Sequence, residues 1–230
     1  MPIETVAFDA DDTLWHNESI FDLTQKRFEE LLADYADRDH LAERILATEK
    51  RNLRHYGYGV KGYSLSLIET AIDVSEGRVP ASVIARVLDF AKEMLAHPVE
   101  LLPGVRETLE SLSGRYRLIV VTKGDLMDQE QKIARSGLGD LFEAVEIVSE
   151  KDAAVYRRLF TRHCGAPDCA VMVGNSVRSD VLPALEAGAF AAHVPYPLTW
   201  AHEAAEAPRD EPRYVLLERI DQLPDWLAGR

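Results

Sequence analysis

The sequence predicts an α/β fold: a Rossmann-like parallel-sheet core with an all-α cap inserted after the first strand. Two observations lead there. Beyond Leu102-Pro103-Gly104, short and near-continuous apolar runs alternate with helical stretches, the pattern of βαβ units whose strands are covered on both faces. Between the first such run, near Thr5–Phe8, and this alternation, the chain shows helical periodicity only. The length of 230 residues suits one large domain, or one domain with a modest insertion. The division expected is 1–15 and 98–230 for the core and 16–97 for the cap.

Each element has its own signal. Glu4-Thr5-Val6-Ala7-Phe8 is apolar and β-prone, and it ends abruptly at Asp9, Asp11 and Asp12. Four amphipathic helices follow, marked by Phe28, Leu31 and Leu32, by Leu41, Ile45 and Leu46, by Leu65, Ile68 and Ile72, and by Val83, Val87, Leu88 and Leu95. Turns are expected near Asp37, Tyr56–Gly62 and Gly77–Pro80. The alternation then runs helix Val105–Leu112, strand Leu118–Val121, helix 125–136, strand Ala144–Val148, helix 151–163, strand Ala170–Val173, helix 179–187 and strand Phe190–Val194. A weaker strand, Tyr214–Leu217, and a terminal helix close the chain.

Composition narrows the function. The charged share is 28% and the formal net charge −13, so the surface repels nucleic-acid backbones and anionic membranes. No apolar run approaches the ~18 residues of a membrane span. Met1-Pro2-Ile3-Glu4 lacks the features of a secretory signal. Two cysteines do not make a disulfide framework. The expectation is a soluble cytoplasmic protein with no nucleic-acid or membrane partner; oligomeric state is not readable.

Ligands of open α/β sheets bind beyond the carboxyl ends of the strands. There the sequence places Asp9, Asp11 and Asp12, then Thr122-Lys123-Gly124-Asp125, then Ser149-Glu150-Lys151, then Gly174-Asn175-Ser176-Val177-Arg178-Ser179-Asp180. Clusters of complementary charge at four successive strand ends exceed what exposure alone explains.

Asp-x-Asp-x-Thr after the first strand, Thr after the second, Lys at a helix start and Gly-Asn-(x)4-Asp after the fourth together resemble the haloacid dehalogenase superfamily. The order and spacing match along the whole chain, and the insertion falls where that superfamily places a helical C1-type cap. The resemblance implies a hydrolase of small phosphate esters that uses Mg²⁺, with a cap closing over the substrate. Asp9 would be the nucleophile, passing through an aspartyl-phosphate. Asp11 would protonate the leaving oxygen and later deprotonate water. Thr122, Lys123 and Lys151 would bind the phosphate, and Asp9, Asp11 through its carbonyl, Asn175 and Asp180 would hold the metal. The superfamily's fourth motif usually begins Gly-Asp. Asn175 can offer an amide oxygen but no charge, so Mg²⁺ is expected to bind more weakly than to an Asn175→Asp variant. Asp12 and Thr13 read as structural groups of the sharp turn.

Two alternatives stay open: a 2-haloacid dehalogenase, which has no need of a second acid at Asp11, and a non-catalytic binding or regulatory protein of the same fold. Other signals lead elsewhere. Gly57-Tyr58-Gly59-Val60-Lys61-Gly62 spells a dinucleotide fingerprint but lacks the preceding strand, so a flexible cap loop is expected, with Tyr58 and Lys61 as candidate substrate contacts. Cys164, Cys169 and His163 lack zinc-site spacing. His16 is a candidate substrate contact, and Trp15 a packing residue under the cap. Arg178 is a candidate partner of Asp180, and the acidic stretch Glu203–Glu211 reads as a surface loop.

Overall fold

A computed structural model describes residues 2–198 and 200–230. The chain divides into two compact units, one of Met1–Glu18, Val99–Lys123 and Gln129–Arg230, the other of Ser19–Pro98 with Gly124–Asp128.

The first unit is built on a six-stranded sheet: β1 (Thr5–Phe8), β2 (Arg117–Lys123), β3 (Ala144–Val148), β4 (Ala170–Gly174), β5 (Phe190–His193) and β6 (Tyr214–Leu216). All pairings are parallel, in the order β3-β2-β1-β4-β5-β6. β1 is central, with Phe8 opposite both Val120 and Val173. Its position explains its composition: all four residues are buried, as a strand covered on both faces must be. The two faces follow the period of two. Val6, Phe8, Leu118, Val120, Val171 and Val173 pack on one side with Val105, Leu109, Leu223 and Leu227. Ala7, Ile119, Val121 and Met172 pack on the other with Tyr156, Leu159, Phe160 and Ala184.

The second unit is all helical: α1 (Glu18–Leu31), α2 (Arg38–Tyr56), α3 (Val60–Val74) and α4 (Ala81–Ala96). Phe28, Leu41, Ile45, Leu67, Val87 and Met94 form its core. Asp37 caps α2 by accepting from the His40 N–H at 2.9 Å. The three glycines of the fingerprint-like stretch make a helix–helix corner. Gly57 and Gly59 take positive φ (68° and 103°), and a Cβ at Gly62 would press on the Gly57 carbonyl. No strand precedes them, and the flexible loop expected over 56–62 is shorter than that, because α3 begins at Val60.

Returning to the first unit, α5 (Val105–Leu112), α6 (Leu126–Ser136, whose first residues group with the helical unit), α7 (Ala153–Cys164), α8 (Leu182–Ala187) and α9 (Leu223–Ala228) complete the fold. The helix expected over 179–187 differs at its start: Val177–Val181 form a π turn before α8 begins. Pro183 has no N–H to return to the carbonyl four residues back. That carbonyl, of Ser179, accepts instead from the Tyr156 hydroxyl at 3.0 Å. Asp152 caps α7 by accepting from the Val155 N–H at 2.7 Å, which leaves Lys151 in the loop before the helix. Among the described residues no helix is long and apolar enough to cross a membrane.

Candidate active site

The strand ends bring their polar residues to one edge of the sheet. The Asp9 N–H still bonds the Val173 carbonyl at 2.8 Å, so the chain leaves the sheet as the acid begins. Lys151 follows β3, yet its ammonium reaches Asp9 Oδ1 at 2.5 Å and Asp180 Oδ1 at 2.7 Å. Given the strand order, that side chain crosses the end of β2 to join the loops after β1 and β4. Asp180 is fixed from its other side by the Ser176 N–H, 3.0 Å from Oδ2. A Cβ at Gly174 would fall inside the Asp180 carboxyl group, so glycine there makes room for the acid.

Two carboxylates sharing one buried ammonium are not equivalent. Burial raises the Asp9 carboxyl to about 7; Lys151 pulls it down, but Asp180 shares that cation and pushes it up again. Burial works against the Lys151 charge, and Asp180 and Asp9 outweigh it, holding the ammonium above the ordinary lysine value. Thr13 Oγ1 donates to Asp9 Oδ2 at 3.3 Å and accepts from the Asn175 backbone N–H at 3.1 Å. With its nitrogen turned inward, the Asn175 amide donates to Asp9 Oδ2 at 3.1 Å and to the Asp11 carbonyl at 3.3 Å.

Asp11, two residues on, sits in a different environment. Its Oδ1 accepts from Trp15 Nε1 at 2.7 Å and from Lys132 Nζ at 2.9 Å, and its Oδ2 from Gln129 Nε2 at 2.8 Å. Burial would raise this carboxyl, but the Lys132 charge and the three donors hold it below the usual carboxylate range. Asp12 takes a positive φ of 62° and accepts from the Asn17 and Glu18 N–H groups at 2.9 and 3.0 Å, the turn-closing role expected of it. Burial raises its carboxyl to about 7, with those N–H groups opposing.

The predicted residues therefore separate into sets. Asp9, Lys151, Asp180, Asn175 and the Asp11 carbonyl come together, while the Asp11 carboxylate turns to α6. Thr122 lies buried at the same edge, its hydroxyl on the Lys123 carbonyl at 3.2 Å. Lys123 reaches Ser179 Oγ at 2.8 Å and Glu203 Oε1 at 2.7 Å. His16 joins the Tyr196 hydroxyl through Nδ1 at 2.7 Å, and within the helical unit Lys61 pairs with Asp125 at 2.9 Å.

Several partners escape a reading of strand ends alone. Gln129 and Lys132 lie one turn apart on α6, a spacing visible once that helix is placed. Trp15 belongs to the core cluster of the α/β unit and donates to Asp11. Arg178 bonds the His202 carbonyl at 2.7 Å. The stretch from Glu203 is not simply a surface loop: Glu203 is half-buried and accepts from Lys123, Ser176 and Ser179. The thiol of Cys169 donates to the carbonyls of Cys164 and Ala166, both at 2.8 Å, and His163 pairs with Glu146 at 2.9 Å.

Among the described residues no three His, Cys, Asp or Glu side chains gather as a cation-holding cluster. The groups that do converge are the Asp9 carboxylate, the Asp11 carbonyl and the Asn175 amide. With the amide oxygen turned inward they form a hard oxygen set of the kind that suits Mg²⁺.

The haloacid dehalogenase-like hydrolase family model matches residues 3–188. Two curated relatives are named glyceraldehyde 3-phosphate phosphatase. That of Pyrococcus furiosus is 26% identical over 195 residues, covering 81% of this chain and 78% of its own. That of Methanothermobacter thermautotrophicus is 25% identical over 236 residues, covering 98% of this chain and 100% of its own. A solved haloacid dehalogenase-like family hydrolase from Xanthomonas campestris superposes with a TM-score of 0.89 at 40% identity, covering 99% of this chain and 91% of that one. With its family match spanning all four strand-end motifs, this chain belongs to the haloacid dehalogenase-like hydrolases.

Proposed function

We propose that this chain is a Mg²⁺-dependent phosphohydrolase that releases phosphate from a small phosphorylated metabolite through an aspartyl-phosphate on Asp9. The observation that carries this reading is a buried strand-end carboxylate with an ammonium 2.5 Å from one oxygen and a second acid two residues on. The names of the two archaeal relatives support a phosphate ester as substrate.

Asp9 attacks phosphorus and the bond to the ester oxygen breaks; Asp11 supplies that oxygen's proton. Asp11 then takes a proton from the water that attacks phosphorus and frees Asp9. Lys151 and Thr122 hold phosphoryl oxygens, the first as a charge and the second as a hydrogen-bond donor. Asp9, the Asp11 carbonyl and Asn175 would hold Mg²⁺, with Asp180 fixing Lys151 beside them. When bound, the ion supplies positive charge facing the transferring group. Before turnover Asp11 must leave the grip of Trp15, Gln129 and Lys132, which hold it as a carboxylate, and take up from solvent the proton it then gives to the leaving oxygen.

One observation favours a second reading. Lys151, Thr13 and the Asn175 amide supply hydrogen-bond donors to both Asp9 oxygens, a set that would equally orient Asp9 to form an ester in a dehalogenase. Parallel assays of phosphate release from phosphomonoesters and halide release from 2-haloacids, each with Mg²⁺ and with EDTA, decide between them. Phosphate release that EDTA abolishes, with no halide released, is the expected result. EDTA-resistant halide release with no phosphate released would establish the dehalogenase.

A further inference from the structure

The connection between β5 and β6 brings to the strand-end edge a carboxylate that the reaction above does not use. The Glu203 side chain is 14% exposed. It accepts from Lys123 Nζ at 2.7 Å and from Ser176 Oγ and Ser179 Oγ, both at 2.5 Å. All three donors belong to strand-end loops: Lys123 closes β2, and the two serines flank the turn that leads to Asp180. Because β1 lies between β2 and β4, a Lys123 side chain rooted on β2 and bonded to Ser179 beyond β4 passes over the end of β1, where Asp9 sits.

The two lysines of this edge therefore anchor on neighbouring residues, Lys123 on Ser179 and Lys151 on Asp180. They differ in what neutralises them. Lys151 faces Asp9 and Asp180, groups of the reaction itself. Lys123 faces Glu203 and, at 3.5 Å, Glu150. Burial works to raise the Glu203 carboxyl, but Lys123 and the serine hydroxyls draw it down to about 2, so the pair stays ionised across the working range of pH.

We propose that Glu203 is a positioning residue that sets phosphate affinity: it ties the Lys123 ammonium into a neutral pair beside Asp9, so that Lys123 lends little charge to a bound phosphoryl group. The inference rests on the phosphohydrolase reading. A second uncompensated cation on this edge would hold substrate and product more tightly alike, lowering KM without raising kcat. Glu203 keeps the product weakly held.

Calorimetric titration of inorganic phosphate into the Mg²⁺-loaded protein tests this, with wild type, Glu203→Gln, Lys123→Met and the double variant side by side. Glu203→Gln is expected to bind phosphate about fivefold tighter, the scale of one unmatched charge nearby at an intermediate dielectric. KM should fall by the same factor without a rise in kcat. The double variant should bind phosphate as Lys123→Met does, so that the gain in Glu203→Gln is traced to the Lys123 ammonium. A residue that only braces the loop would give weaker binding, not tighter. Unchanged or weaker phosphate binding by Glu203→Gln overturns the proposal. So does a loss of about tenfold or more in Lys123→Met, which decides the matter even if Glu203→Gln does not fold. A wild type that binds and releases no phosphate ends the phosphohydrolase reading and this inference together. A wild type that binds phosphate, with Glu203→Gln binding no tighter, ends this inference alone.

Discussion

In the helical unit most paired charge stays on the surface: Lys26 pairs with Asp22, Arg44 with Asp73 and Arg51 with Glu69, all substantially exposed around an apolar core, and Glu29, buried beside Gln25 and Arg38, is an exception. In the α/β unit, Lys151, Asp9 and Asp180 are nearly inaccessible, and Lys123 and Glu203 almost so. Exposed pairs contribute about 0–1 kcal/mol, whereas taking ions out of water costs several kcal/mol each before their attraction repays it. A chain that gathers three buried, mutually paired charges at one sheet edge accepts a stability cost there. The proposed chemistry on a phosphate ester gives that cost a use.

The comparison can be broken by single substitutions. The largest effect is expected for Asp9→Asn, which keeps the shape and removes the nucleophile; phosphate release should fall about 10³-fold or more in steady-state assays. Near-wild-type turnover would remove Asp9 from the mechanism. Lys151→Met leaves two buried carboxylates without their cation, and urea unfolding should show a loss of about 3–5 kcal/mol. Gly174→Ala forces a Cβ into an Asp180 side chain already pinned by Lys151 and Ser176, which should cost about 1–3 kcal/mol in the same experiment. The smallest effect belongs to the helical unit: Arg44→Ala should change stability by no more than about 1 kcal/mol. A loss as large as that of Lys151→Met would erase the contrast between the units.

Much of this organisation is legible in the sequence. Strands buried on both faces announce themselves as apolar runs, and β3 and α5 begin and end where pattern and turn signals put them. The acids after β1 stand out because nothing in a buried strand needs them. Asp152 stands one residue before α7 begins and caps it through its side chain. What pattern could not show depends on distant partners. Glu203 lies in a proline-rich acidic stretch whose local composition says only loop, and its lysine is 80 residues away. Pro183 leaves the Ser179 carbonyl without an N–H four residues on, but that the Tyr156 hydroxyl takes its place appears only in the structure. The opposite environments of Asp9 and Asp11 likewise arise from distant lysines, Lys151 in the loop before α7 and Lys132 on α6.

The central claim is that the Asp9 carboxylate is retained for chemistry against stability. In the metal-free protein burial raises its carboxyl to about 7 from an ordinary 3.8, so the folded state binds more protons than the unfolded state between those values. The Asp9 contribution to stability should therefore fall as pH rises from about 4 to 7, and Asp12 is shifted the same way, whereas Glu203, drawn down to about 2, contributes in the opposite sense at the acid end. Urea unfolding of wild type and Asp9→Asn across that range, in EDTA, measures this directly. The account predicts that wild type loses stability relative to Asp9→Asn as pH rises over the range, and that the variant is at least as stable as wild type at pH 7. A difference between the two that stays constant or moves the other way over the range, or an Asp9→Asn variant less stable at pH 7, would contradict it.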